Sequence, residues 1–346
     1  MTKNRPETIL RDLHESGALP DGYKYPASLD VLGPSFKSLL IGLQRGLIEA
    51  LRQENENVSS GVVHPPFHVD YADASEPNAL AFEYGGFAFI VITVPMMEML
   101  WRTSERLSHA PSIAALLDVD PVNPPLIERL ITALFSIQFS FLVCHEYTHH
   151  IHGHLGESSS VELRIWKEMR KSAALEAQAQ EVGADTYAVY IALTNLFNGS
   201  GRDNAISVFA LRNKASAAHE SLLVLFVVAV GAFFCAFSRM DVDVASVYEA
   251  SHPLVAVRMN YVMHSAISWC NQNCPAIETW MNPGRYQIVI AALGEALWGA
   301  ADTTVPQVAF LNSAPGAEYL RQLEELRLQQ FRGLEKVIAK GRRRRV

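Results

Sequence analysis

The sequence predicts an α+β fold, mostly α, in which a small three-stranded sheet near the front is followed by many helices. Residues 62–93 are rich in β-branched and aromatic side chains, whereas almost everything after Pro95 carries helical patterning broken by prolines and glycines. The two kinds of segment do not alternate as βαβ units. No glycine-rich phosphate loop follows any strand, which argues against nucleotide chemistry. Core material is ample, since 49% of the 346 residues are hydrophobic and only 19% charged, a balance that disordered chains do not have.

Taken in order, the first sixty residues carry helical periodicity around Phe36–Leu51 and close on a polar run, Gln53–Ser60, expected to be a loop. They form an N-terminal helical extension, 1–60, in which nothing suggests chemistry. Three strands follow: one within VVHPPFHVDY (62–71), one at Asn78–Phe82, and one at Gly86–Thr93. Ala-Ser-Glu-Pro-Asn and Gly-Gly supply the turns between them. Helices are then expected with breaks at Pro111, Asn123-Pro124-Pro125, Gly153–Ser160, Asn198–Asp203, and around Pro275 and Pro283. The body spans 61–270, and a C-terminal helical extension, 271–346, ends in a basic tail.

The formal charge of −7, from 29 basic and 36 acidic side chains, argues against a protein that wraps nucleic acid. Four cysteines are too few for a disulfide scaffold. The opening MTKNRPETILRDLHESG has charges where a signal peptide needs an apolar stretch. Together these lead to an expected cytoplasmic, reducing setting. Cys144, Cys270 and Cys274 are expected to be core thiols.

The chemistry centres on one helix. Asn123 followed by two prolines is a strong helix start, and the apolar run from Leu126 reaches Gly153 without a breaker. Near its end stands His145-Glu146-Tyr147-Thr148-His149. Histidines four apart lie about 40° apart around a helix and about 6 Å along it, so both imidazoles reach one tetrahedral zinc, with the glutamate beside the open position. A hydrolytic zinc needs a third protein ligand. His152 is about 10.5 Å along the helix from His145, too far to share the ion. Position 155, where another spacing would place a histidine, is Leu. The third ligand is therefore expected from the helix predicted over 161–196, where Glu181-Val-Gly-Ala-Asp185 sets two acids on one face. Glu181 is preferred and Glu176 is its rival. Gly183, Ala184, Ala177 and Ala188 are expected to let the two helices approach closely. His150 and His154 are expected to be solvated or helix-terminal.

The ordered series HEYTH, EVGAD and Ser251-His252-Pro253-Leu-Val-Ala-Val-Arg258 resembles the HExxH…ExxxD…HPxxxxR pattern of gluzincin metallopeptidases of the HtpX and CaaX-prenyl-endopeptidase type. Asn78–Phe82 with Gly85–Thr93 is similar to that family's strand pair above the cleft, so the likeness covers residues 75–265. It implies a minimal gluzincin core in which the small sheet packs on the zinc-bearing helices. This chain departs from the family in lacking its usual transmembrane helices around the motifs, and in Gly183. The non-membrane arrangement is also similar, more loosely, to phage-exclusion peptidases of the Lit type. The resemblance implies His145, His149 and Glu181 as zinc ligands, Glu146 as general base, Asp185 as a partner of a ligand histidine or of Arg258, and His252 or Arg258 as donor to the developing oxyanion. Strand Gly86–Thr93 is expected to pair with an extended substrate. The expected function is a zinc-dependent endopeptidase with a protein or peptide substrate and, as restraint, a regulatory partner. The alternatives are a catalytically silent zinc-binding sensor and a zinc amidohydrolase of a small molecule.

Two segments remain. Leu222–Phe237 is apolar on every face, but a single span there would put Glu181 and His252 on opposite sides of a bilayer. It is therefore expected to be a buried central helix, with peripheral membrane association the minority alternative. Glu318–Val337 carries an apolar stripe at 320, 323, 326, 331, 334 and 337, expected to dock on the body or a partner. Its continuation, Lys340-Gly341-Arg342-Arg343-Arg344-Arg345, is expected to be a solvated tail without a specific nucleic-acid partner.

Overall fold

The computed structural model describes residues 5–20, 22–57, 65–120, 122–154, 171–199, 202–207, 215–237, 246–250, 252–274, 283–299 and 305–343. The mostly helical α+β class is as expected. The helices are α1 (Pro6–Glu15), α2 (Pro34–Asn57), α3 (Val94–Ser108), α4 (Pro111–Leu117), α5 (Pro124–Ile151), α6 (Lys171–Asn198), α7 (Arg202–Ser207), α8 (Ala215–Phe237), α9 (Val255–Asn273), α10 (Pro283–Trp298), α11 (Val305–Leu311) and α12 (Ala314–Arg343). The strands β1 (Phe67–Ala72), β2 (Ala79–Tyr84) and β3 (Phe87–Thr93) fall where the β-rich stretch placed them. Residues 62–64 of the first expected strand, 161–170 of the expected ligand helix, and Arg344 and Arg345 of the tail lie outside the described residues. The chain divides into two compact units, one of Met1–Met99, His145–Met169 and Leu328–Val346, the other of Leu100–Cys144 and Arg170–Arg327.

In the first unit the sheet order is β1-β3-β2, with β1 parallel and β2 antiparallel to β3. Gly85 and Gly86, at φ +57° and +83°, close β2 onto β3 in a two-residue turn whose positive dihedrals favour glycine. Helix α1 lays Ile9, Leu10 and Leu13 on Phe89 and Val91. Ile9 comes so near the turn that a Cβ on Gly85 would stand 2.9 Å from its Cδ1. On the other edge, Gln44 of α2 donates to the Val69 carbonyl at 2.7 Å, and the Tyr71 hydroxyl donates to Leu40 O at 3.0 Å. Asp70 gathers the Tyr25 hydroxyl (2.7 Å), its neighbour's amide (2.8 Å) and the His68 ring (3.1 Å).

Two expectations are corrected here. Gln53–Asn57 is not loop but the last turns of α2, where Arg52 and Gln53 both bond the Glu49 carboxylate and supply the local partners a polar helix end needs. Strand β3 cannot pair with a substrate, because β1 and β2 occupy both of its edges. Among the described residues the outer edge of β2 carries no strand.

In the second unit α8 is the core helix, with Leu222 to Val230 all buried. By length and composition, Pro124–Ile151 and His219–Ala236 could cross a membrane, but most of the latter is buried within the protein. Gly231 on α8 permits close packing: a Cβ there would meet Leu293 Cδ1 of α10 at 2.6 Å and Met259 Cε of α9 at 3.0 Å. Helix α12 docks Tyr319 and Leu323 on Leu175, Ala179, Val182 and Val257, with Leu320 and Leu326 beside them. Phe331 is 50% exposed, and the side chains of Leu334 and Val337 lie outside the described set.

Candidate metal centre

The ligand helix starts as its sequence dictates. Asn123 Oδ1 accepts the Leu126 amide at 3.3 Å, and the two prolines fill positions whose missing N–H groups a helix start does not use. Twenty residues on, His145 and His149 turn their rings together, with Nε2 atoms 3.1 Å apart. Two nitrogens bound tetrahedrally to one zinc at about 2.0–2.1 Å would be separated by about 3.3 Å, so the spacing fits. Glu181 completes the set: one ligand atom from each of His145, His149 and Glu181 lies within 4.8 Å of the others. Two imidazoles and a carboxylate, with His145 and Glu181 buried, form a group able to hold a metal ion. Glu176, the rival ligand, is exposed.

The surroundings orient these groups. His149 Nδ1 lies 3.0 Å from His154 Nδ1, and where His149 is the donor its Nε2 is left with a lone pair for a metal. Burial, with neighbouring His149, pushes His152 down to about 4. His150 is helix-terminal, the second of its two expected placements, and not solvated: its ring is buried, bonded to the Phe89 carbonyl at 3.0 Å and edge-on to Phe67, with Nδ1 3.6 Å from Glu83. It fastens the end of α5 to β3.

Around Glu181, Arg258 of α9 makes a bidentate pair with Asp185, both bonds 2.7 Å, and its guanidinium also lies 3.5 Å from Glu181 Oε2. The Phe234 ring covers it at 4.4 Å. Asp185 therefore partners Arg258, one of its two expected bonds. His252 Nε2 is 3.6 Å from Glu181 Oε2, on a side chain 47% exposed. Gly183 does not serve close helix approach, since a Cβ there would meet nothing within 4 Å; Ala177, Ala184 and Ala188 are the buried small residues.

Among the first sixty residues, where no chemistry is expected, Tyr23 comes against Asn78. Its hydroxyl accepts the Asn78 amide at 2.8 Å. Burial above all raises its phenol, with Glu146 adding its negative charge and the Asn78 bond opposing them. No local pattern announces this, because Tyr23 reaches Asn78 and the field of Glu146 only through the fold.

All four cysteines are free thiols, with Cys144, Cys235 and Cys270 buried. No protein-family model, no curated protein and no solved structure matches the chain.

Proposed function

We propose that the protein is a zinc-dependent endopeptidase of the gluzincin kind, acting in the cytoplasm on a protein or peptide chain. The observation that carries the reading is the convergence of His145, His149 and Glu181, with Glu146 between the two histidines on α5. When held by those three residues, zinc supplies the Lewis acidity that makes water a nucleophile near neutral pH. Glu146 takes the proton of the attacking water on its carboxylate and passes it to the leaving amine. His252, exposed beside Glu181, donates to the developing oxyanion. Arg258, occupied by Asp185 and under Phe234, orients Glu181 instead.

The edge of β2 supports a chain-like substrate over a small molecule. Thr93 N donates to Asn78 O, so with the β2–β3 register the alternate residues Ala79, Ala81 and Glu83 turn their backbone groups outward. An extended peptide would add there as a strand. The burial of α8 supports a core helix over a membrane span.

The test is metal content with hydrolysis. Purified protein should carry about one zinc per chain by elemental mass spectrometry. Glu181→Ala should lose most of it, and Glu146→Gln should keep it while peptide cleavage disappears. Cleavage surviving in zinc-loaded Glu146→Gln would sink the mechanism.

A further inference from the structure

His252 belongs to the segment between α8 and α9, and its half-exposed ring is not fixed by its own burial. The backbone before it packs through Val247 and Tyr248 against the α6 and α12 side chains and is hydrogen-bonded by a buried glutamine. Gln178 of α6 donates from Nε2 to the Val247 carbonyl at 2.8 Å and to the Ala250 carbonyl at 2.7 Å, while its Oε1 accepts the Tyr319 hydroxyl of α12 at 2.6 Å. Beyond His252, the Gln307 side chain accepts the Ala256 amide at 3.0 Å. Gln178 stands three residues before Glu181, so adjacent turns of α6 carry the candidate ligand and the anchor of the His252 segment. A fully buried amide is unfavourable unless its bonds are made, and packing alone would be served by Leu or Met. Here both amide hydrogens go to the segment's carbonyls, and the Tyr319 donor fixes the amide's orientation.

Resting on the reading of His252 as a donor beside a metal centre, we infer that Gln178, oriented by Tyr319, is a positioning residue that holds the 246–250 backbone so that His252 stays against Glu181. It acts through His252 and does not touch the reacting atoms.

The test uses the full chain loaded with cobalt, whose visible absorption reports titration with acetohydroxamate, a bidentate metal-binding probe with an oxygen where an oxyanion would form. His252→Ala should weaken the probe about tenfold, the loss of one hydrogen bond to a charged group. Gln178→Met, with unchanged cobalt content and circular dichroism, should weaken it several-fold. The double variant should bind no more weakly than His252→Ala alone. Tyr319→Phe should give a smaller loss with the same dependence on His252, and it carries the test if Gln178→Met does not fold. Losses that multiply in the double variant, or wild-type binding by both Gln178→Met and Tyr319→Phe, would overturn the inference and leave the metal reading standing. A wild type that takes up no cobalt would overturn that reading, and this inference with it.

Discussion

Asp185 and Arg258 form a buried bidentate pair, and such a pair is costly to break from one side. Asp185→Ala leaves the guanidinium beneath Phe234 with only its longer contact to Glu181 and should destabilise the protein by about 3 kcal/mol, read as a lower urea midpoint. The buried thiols set an alkaline limit. Burial pushes Cys235 and Cys270 up to about 12, with Cys274 adding to the shift of Cys270. An unfolded thiol ionises near about 8.5. Below that value both states hold the proton and nothing changes. Above it only the unfolded state releases the proton, so stability falls as pH rises toward 12. The melting temperature should drop more gently above pH 9 in Cys235→Ala than in wild type. The paired histidines were legible in the sequence because helix geometry turns a spacing of four into proximity. The structure distinguishes Glu181 from Glu176 by burial, which depends on how the rest of the chain packs. The partners of His150, Tyr23 and Gln178 were illegible for a related reason: each lies dozens of residues away in the chain.

At the scale of elements, the three strands were readable because β-branched runs and the Gly85-Gly86 turn are local signals, but their order was not. The sequence placed the substrate on Gly86–Thr93, yet that strand is central, and among the described residues the outer edge of β2 carries no strand. A proline at Ala81 removes an N–H that β3 does not use, so Ala81→Pro should keep the fold and the zinc while peptide cleavage falls about tenfold or more. Cleavage unchanged in that variant would exclude strand addition on β2. Helix α8 shows a glycine whose purpose is packing. Gly231→Ala forces Leu293 and Met259 to yield and should lower stability by about 1–3 kcal/mol, measured by urea denaturation. Gly183, which the sequence assigned that purpose, faces open space.

Over the whole molecule, a metal held by residues 36 positions apart in sequence would bind the folded chain and not the unfolded one. Zinc added to metal-free protein should therefore raise its melting temperature, and His145→Ala should abolish the rise. The α+β class was legible because composition changes sharply at Pro95, whereas the division into two units was not, since the boundary falls inside α5 between Cys144 and His145. A helix reads the same on both sides of such a boundary. The sheet order also sets a kinetic sequence. The β2–β3 hairpin closes over two residues and can form within microseconds. β1 pairs with β3 in parallel across some twenty residues and so must wait for a larger loop to close. In refolding followed by pulsed hydrogen exchange, the amides of β3 bonded to β2 should gain protection before those bonded to β1, so the outer edge of β2 would exist before the sheet that supports it is complete.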